Sequence, residues 1–462
     1  MDFLRLHPFV RTTAHDKTLG TIIGATLGDC IGLYTEFLPG AECRRAYPSA
    51  RFVLVGPSQT PFRADSHRDK FEPADWTDDT DQSLLLILSY LHNYECSTDV
   101  KAPIESSDIA LRLHIWTTQG LRCLDRPPLG LGQTIGRVVL DPAYLDDPEA
   151  VALKIWLKSN RNAAPNGSLM RTHPVGVVSV GMSLEETFRT AADVGRVTHV
   201  DPRCVVSCCL VAGLVRGIIR GEVVCEADVD TLIESAYSWV NGKDELRNPE
   251  ARRLEEGWEG VVQGGAAGEE SLLVLEEYRK HCHAQTLKEL ELDDSQKMGY
   301  VYKCLGSAIL TLRLAIRRGS GFGLSTAELF EPLITNLIME GGDADTNASV
   351  AGALLGAWVG YSNLPSHWEK GVRNREWLVR KAEALSLRVG ILAPPAGGEV
   401  QILVADPDAV LDGGRGMLTK EQLDKREKDF VMMILAKQKK RREAVEREER
   451  SLRGTLMGKL FK

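Results

Sequence analysis

The chain has 462 residues, 43% of them hydrophobic and 26% charged, with a formal net charge of −8. Such a chain can bury a large core, and its acidic balance argues against nucleic-acid binding by the chain as a whole, because phosphate recognition leaves a prominent basic excess. The ten cysteines form no CxxC pair and no dense cluster, which speaks against a disulfide framework or a structural zinc site and for reduced thiols in an intracellular protein, cytoplasmic or nuclear.

The first residues, Met1 to Pro8, lack a basic stretch followed by a long apolar run, so no signal peptide is expected. Helical periodicity predicts helices over 17–34, 80–93, 107–120, 148–159, 184–197, 202–220, 227–240, 298–318, 326–340 and 344–361. The apolar run from Cys204 to Ile219 is interrupted by Arg216 and is shorter than the ~20 residues of a membrane span, so no membrane segment is expected. Strand candidates, Arg51–Gly56 and Val400–Ala405, are short and isolated. The expected fold class is therefore all-α, a multi-helix globule. The charged stretch 241–297, with Gly264 and Gly265, is expected to be a peripheral helical insertion, and His281-Cys282-His283 within it reads as surface rather than as a soft-metal site. A main domain is expected over 1–395. The extension 396–462 follows the Pro/Gly-rich turn 394–398, and from 420 onward it carries 14 Lys/Arg against 8 Asp/Glu. It is expected to be a solvated, net basic helix, the one part of the chain for which nucleic acid is considered as a partner.

Two clusters carry the chemistry. Trp76-Thr77-Asp78-Asp79-Thr80-Asp81 stands directly before the apolar run Leu84 to Leu91, and Gly341-Gly342-Asp343-Ala344-Asp345-Thr346-Asn347 stands before the small-residue segment 348–360. Helix capping accounts for one or two of these acids. Three carboxylates within four positions repel one another, and a hard divalent cation is the usual way to make that crowding favourable. Carboxylates and hydroxyls without His or Cys favour Mg²⁺, with Mn²⁺ as the alternative, over Zn²⁺.

These motifs resemble those of the ADP-ribosylglycohydrolase family, which includes dinitrogenase-reductase-activating glycohydrolases and the ADP-ribosylhydrolases. The stretch 24–32 (Gly-Ala-Thr-Leu-Gly-Asp-Cys-Ile-Gly) is similar to the family's first-helix motif and is followed by Glu36. Thr77-Asp78-Asp79-Thr80 and Gly342 to Asn347 match its two metal motifs, Asn166-Gly167-Ser168-Leu169-Met170-Arg171 its Asn-Gly-x-x-Met-Arg loop, and Thr198-His199 its Thr-His pair. The resemblance implies an all-α fold with a binuclear cleft in which Thr77, Asp78, Asp79, Asp343, Asp345 and Thr346 hold two Mg²⁺ ions.

It further implies hydrolysis of the bond between the anomeric carbon of ADP-ribose and a protein side chain or small-molecule leaving group. Glu36, Asp79 and Asp345 are the candidates for ribose contact and proton transfer, and Asn166, Gly167, Ser168, His199 and Gly130 for substrate binding. Asp29 is expected to organise the first helix and the residues behind the ligands. Arg171 is expected to support its loop or pair with a carboxylate. At the Gly-x-Thr-like segment 129–134 some arginine-directed members carry an acid where this chain has Gly130, and the Leu-Gly-Asp-Cys wording of residues 27–30 is closer to members acting on O-linked ADP-ribose. The linkage stays open. The alternative is a module that binds ADP-ribose without cleaving it.

Overall fold

In a computed structural model, residues 2–5, 7–96, 104–250, 272–319, 326–392 and 406–460 are described. In chain order the helices are α1 (Pro8–Gly32), α2 (Asp78–Cys96), α3 (Ser106–Gln119), α4 (Gln133–Val139), α5 (Pro148–Lys158), α6 (His173–Val178), α7 (Leu184–Arg196), α8 (Pro202–Arg220), α9 (Glu226–Asn241), α10 (Leu275–Cys282), α11 (Val301–Gly319), α12 (Phe330–Ile338), α13 (Ala344–Val359), α14 (Arg375–Arg388) and α15 (Lys420–Leu460), with short helical turns at Gly40–Ala46, Asp244–Arg247 and Ser366–Glu369. The all-α expectation holds. Among the described residues the strands are β1 (Leu38–Pro39) and β2 (Gly341–Gly342), paired antiparallel.

The centre of the fold is the contact between α1 and α13, and it is made by backbone. A Cβ added at Gly28 would lie 1.9 Å from the Ala348 carbonyl oxygen, one at Gly24 2.4 Å from that of Gly352, and one at Gly20 2.2 Å from that of Gly356. Three glycines spaced by four residues share one face of a helix, so α1 presents a groove into which α13 fits antiparallel. The C-terminal end of α1, which carries Asp29, is thereby brought beside the N-terminal end of α13, which carries Asp343 and Asp345. Around this pair, α11, α12 and α8 pack on α13, and α14 packs on α1.

Helix α1 starts at Pro8 rather than near 17 because the His7 ring nitrogen accepts the Phe9 N–H at 3.2 Å and proline suits the first helical turn. Helix α8 spans 202–220 as expected. It is apolar and long enough to cross a membrane by composition, and it is buried inside the body. The expected strand Arg51–Gly56 is not formed. Phe52 and Leu54 are buried, but the Phe52 carbonyl accepts from the Trp368 indole at 2.8 Å and Val53 N–H donates to the Thr60 hydroxyl, so the segment is an extended loop tied by side chains instead of a partner strand. The other candidate, Val400–Ala405, lies outside the described residues.

Of the stretch 241–297, residues 251–271 lie outside the described residues. Its charges face solvent while Leu273, Tyr278, Cys282, Leu290 and Leu292 are buried, and the Tyr278 hydroxyl donates to the Ile233 carbonyl at 3.1 Å. Cys282 is therefore core and not surface; His281 is half-buried and donates to the Glu277 carbonyl, and His283 is exposed. The extension beyond 395 forms a long helix over Lys420–Leu460, largely exposed along 420–443, and also touches the body. Residues 406–419 are stitched to the body, with Lys381 paired to Asp406 and Asp408 and the Arg112 guanidinium donating to the Ala409 carbonyl, and α15 docks on the body along one face.

Candidate active site

Asp29 organises the first acidic cluster. At the C-terminal end of α1 it is fully buried and accepts from the Thr77 N–H (3.0 Å), the Thr80 N–H (3.0 Å) and the Thr80 hydroxyl (2.6 Å), which fixes the first turn of α2. That turn aims Asp78 and Asp79 at the cleft and Asp81 away from it. Asp81 accepts from the Trp76 and Trp116 indoles at 2.7 and 3.0 Å and from Arg126 at 3.0 Å, while Arg126 also pairs with Asp75 at 2.5 Å. The third acid of the cluster is thus the anchor of a buried ion network, and only two face the site. Arg126→Ala leaves Asp81 buried without a cation and Asp75 with only Arg373, at 3.6 Å, and is expected to cost about 3–5 kcal/mol in urea unfolding.

The second cluster is held by the two-residue ladder. Leu38 pairs with Gly342 and Pro39 with Gly341, and the Phe37 N–H donates to the Gly342 carbonyl at 2.6 Å. Gly341 and Gly342 have φ of +76° and +70°, and a Cβ at Gly342 would stand 1.9 Å from the Leu292 carbonyl oxygen, so only glycine fits here. The ladder clips the Glu36 segment to the N-terminal end of α13. One carboxylate oxygen from each of Glu36, Asp343 and Asp345 consequently lies within 4.8 Å of the other two. The Asn166 amide donates to Asp343 at 2.8 Å, the Thr346 hydroxyl to Asp79 at 3.2 Å, and the Thr77 hydroxyl to Asp79 at 3.3 Å.

These acids border a cavity of about 220 Å³ lined also by Gly130, Thr134, Asn166, Gly167 and His199. Gly130 has φ of +94°, and a Cβ there would lie 2.4 Å from an Asp78 carboxylate oxygen. Thr77 lies behind Asp79 in the buried wall. The Ser168 hydroxyl is buried and lies 3.5 Å from the Cys208 thiol, on the face turned towards α8. Thr134 is shared with an adjoining hollow of about 570 Å³ bordered by Ala164, Arg203, Lys297 and Tyr300.

Two supporting relays meet at Arg171, whose partners Gln82 and Thr198 lie 89 and 27 residues away in the sequence. Gln82 donates to Asp78 at 3.0 Å and accepts from Arg171 at 3.0 Å. Arg171 is fully buried, has no carboxylate partner among the described residues, and also donates to the Thr198 hydroxyl at 2.7 Å. The Thr198 hydroxyl and His199 Nδ1 share a hydrogen bond at 2.7 Å, and His199 Nε2, a buried polar atom without a protein partner, borders the cleft. Burial pushes the His199 pKa down to about 3, with Arg171 adding to the effect, so the ring is neutral. Gln82 and His67 were not singled out from the sequence; the His67 ring donates to Glu36 at 2.5 Å.

Burial, then repulsion from neighbouring acids, pushes Asp78, Asp79, Asp343 and Asp345 above the usual carboxylate range, and burial lifts Asp29 to about 7 against its hydrogen bonds. Their folded pKa values exceed the unfolded ones, so ionisation opposes folding, and stability is gained as pH falls through the folded values. The buried His173 and His199, both near 3, act in the opposite sense only below the unfolded value of about 6.5. The metal-free protein is therefore expected to melt at a lower temperature at pH 9 than at pH 6.5, which a melting series in EDTA measures.

The sequence pattern of the ADP-ribosylglycohydrolase family matches residues 10–392. The chain is 23% identical over 371 residues to the ADP-ribosylarginine hydrolase of Serratia proteamaculans, covering 80% of this chain and 79% of that one. It is 21% identical over 360 residues to the ADP-ribosyl-[dinitrogen reductase] glycohydrolase of Rhodospirillum rubrum, covering 77% and 90%. Its fold is similar to that of a solved ADP-ribosylglycohydrolase-related protein complex, with a TM-score of 0.51 and 21% identity over 82% of this chain and 99% of the other. A family pattern spanning most of the chain, on an all-α fold whose two acidic clusters meet in one cleft, places it in the ADP-ribosylglycohydrolase family as an ADP-ribosyl hydrolase.

Proposed function

We propose that Thr77, Asp78, Asp79, Asp343, Asp345 and Thr346 hold two divalent cations, Mg²⁺ or alternatively Mn²⁺, and that with Glu36 they cleave ADP-ribose from a protein side chain or a small molecule. The observation that carries the metal reading is a set of carboxylates, Asp78, Asp79 and Asp345 buried and Asp343 partly so, without counter-charge. Among the described residues no Lys or Arg forms an ion pair with Asp78, Asp79, Asp343 or Asp345, and one Asp79 oxygen is buried with no hydrogen-bond partner. All donors are oxygens, which suits a hard cation. When bound, such ions supply a template for the ribose hydroxyls and lower the pKa of a coordinated water.

The chain's own residues supply the rest. Glu36, held by His67 and facing Asp343 and Asp345, is placed to contact the ribose or transfer a proton. His199 offers a neutral N–H to a diphosphate oxygen, and Gly167 lets the ligand approach the main chain, since even a Cβ there would come within 3.2 Å of the His199 ring. The hollow beyond Thr134 has room for the remainder of an ADP-ribose. The described cysteines are free thiols, which supports an intracellular setting. Glu36→Gln is expected to lower kcat by ~10²–10⁴-fold, the usual range for a positioned acid or base, with ADP-ribose affinity retained in calorimetry. Unchanged kcat would remove Glu36 from the chemistry.

A further inference from the structure

Helix α15 lies beyond residues 10–392, the part of the chain that the family pattern matches. Its docked face meets the loop that holds Glu36. Lys437 donates to the carbonyls of Phe71 (3.0 Å) and Asp69 (3.3 Å) and pairs with Glu72 at 2.7 Å, and Arg441 pairs with the buried Asp69. Phe430 packs on the small apolar cluster of Leu33, Phe71 and Leu129. From the other side, the same loop reaches Glu36: His67 hydrogen-bonds its carboxylate, Arg68 donates to its backbone carbonyl, and the His67 ring packs on Phe71 and Phe37 at 5.8 and 4.9 Å. Residues 67–72 are thus held between Glu36 and α15. Leu129, the neighbour of Gly130, ties the opposite rim of the cleft to the same helix.

We propose that α15 is a positioning element of the reaction: Phe430, Lys437 and Arg441 fix residues 67–72 and, through His67 and Arg68, the orientation of Glu36 towards Asp343 and Asp345. This rests on the reading of Glu36 as a catalytic residue. Of the buried side chains in residues 67–72, Asp69 and Phe71 meet α15 directly, so loss of these contacts lets the loop open at lower cost, and misplacing a reacting group by a fraction of its working distance lowers the rate without weakening binding.

The test uses the full-length protein with Phe430→Ala, with Lys437→Ala/Arg441→Ala, and with the conservative Lys437→Arg/Arg441→Lys, each alone and combined with Glu36→Gln. Amide hydrogen exchange at 62–72 is expected to quicken by roughly tenfold in the alanine variants. Their kcat is expected to fall by about tenfold with KM and the Mg²⁺-induced melting shift unchanged, the conservative variant to recover most of it, and the alanine changes to cost nothing further in the Glu36→Gln background. Exchange and kcat equal to those of the unsubstituted protein would overturn the proposal, as would a fall in kcat of the same size with Glu36 already replaced. If the unsubstituted protein shows no turnover, the functional reading fails by itself, and unchanged exchange at 62–72 in the alanine variants still overturns the claim that α15 holds this loop.

Discussion

Replacing Asp345 with Asn is expected to lower turnover by at least about 10³-fold, equivalent to roughly 4 kcal/mol of transition-state stabilisation, and to raise the melting temperature of the metal-free protein. Both effects have one origin. Asp345 is buried, and its carboxylate shares a 4.8 Å neighbourhood with those of Glu36 and Asp343. Without a cation its charge is repelled by Glu36, Asp79 and Asp343, so a neutral amide of nearly the same shape relieves the fold. With a cation the same charge is a ligand, and its loss weakens the site. The pair of measurements is informative because a residue with a merely structural role would lose stability on substitution. A variant that loses activity and also melts lower in EDTA would contradict this account.

Gly28→Leu is expected to abolish soluble expression, and Gly356→Ala to destabilise the protein by ~3 kcal/mol or more, at the upper end of what overpacking costs. A Cβ at either position would stand 1.9 Å from a carbonyl oxygen of the facing helix, and backbone has no rotamer with which to give way. The change would push α1 and α13 apart along the seam that aligns Asp29 with Asp343 and Asp345, so any folded fraction of Gly356→Ala is expected to bind Mn²⁺ more weakly. Gly132→Ala is the matched control: its Cβ would meet nothing within 4 Å, and its melting temperature is expected to stay within a degree or two, since isolated surface changes fall within about ±0.5 kcal/mol. A melting curve for Gly356→Ala that overlaid the control would refute the close-contact reading of the seam.

The acids facing the cleft were legible because each cluster is continuous in sequence and opens a helix, so local spacing alone brings its members together. Convergence of the two clusters was not visible from spacing; it rests on the α1–α13 glycine seam and on the Leu38–Gly342 ladder, which are contacts between residues about 300 positions apart. Periodicity located α8 to the residue because its buried surface is apolar all round. It missed α14, whose inner face includes Lys381, a charge that reads as solvent-facing until Asp406 and Asp408 neutralise it. Asp81 looked equivalent to Asp78 and Asp79; its partners Trp116 and Arg126 lie 35 and 45 residues away and turn it out of the site. The orientation of the Ser168 hydroxyl was not legible for a similar reason, since Cys208 on α8 lies 40 residues away. The docked face of α15 was hidden because Lys437 and Arg441 alternate with solvated charges of the same kind, and only their acceptors in residues 69–72 single them out.

The most direct test of the central claim is release of free ADP-ribose from arginine-, serine- and phosphate-linked ADP-ribose substrates, assayed with Mg²⁺, with EDTA, and with Asp345→Asn. Release is expected from at least one linkage, needing Mg²⁺, stopping in EDTA and lost in the variant. Release that continues in EDTA, or ADP-ribose binding with no release from any substrate, would contradict it.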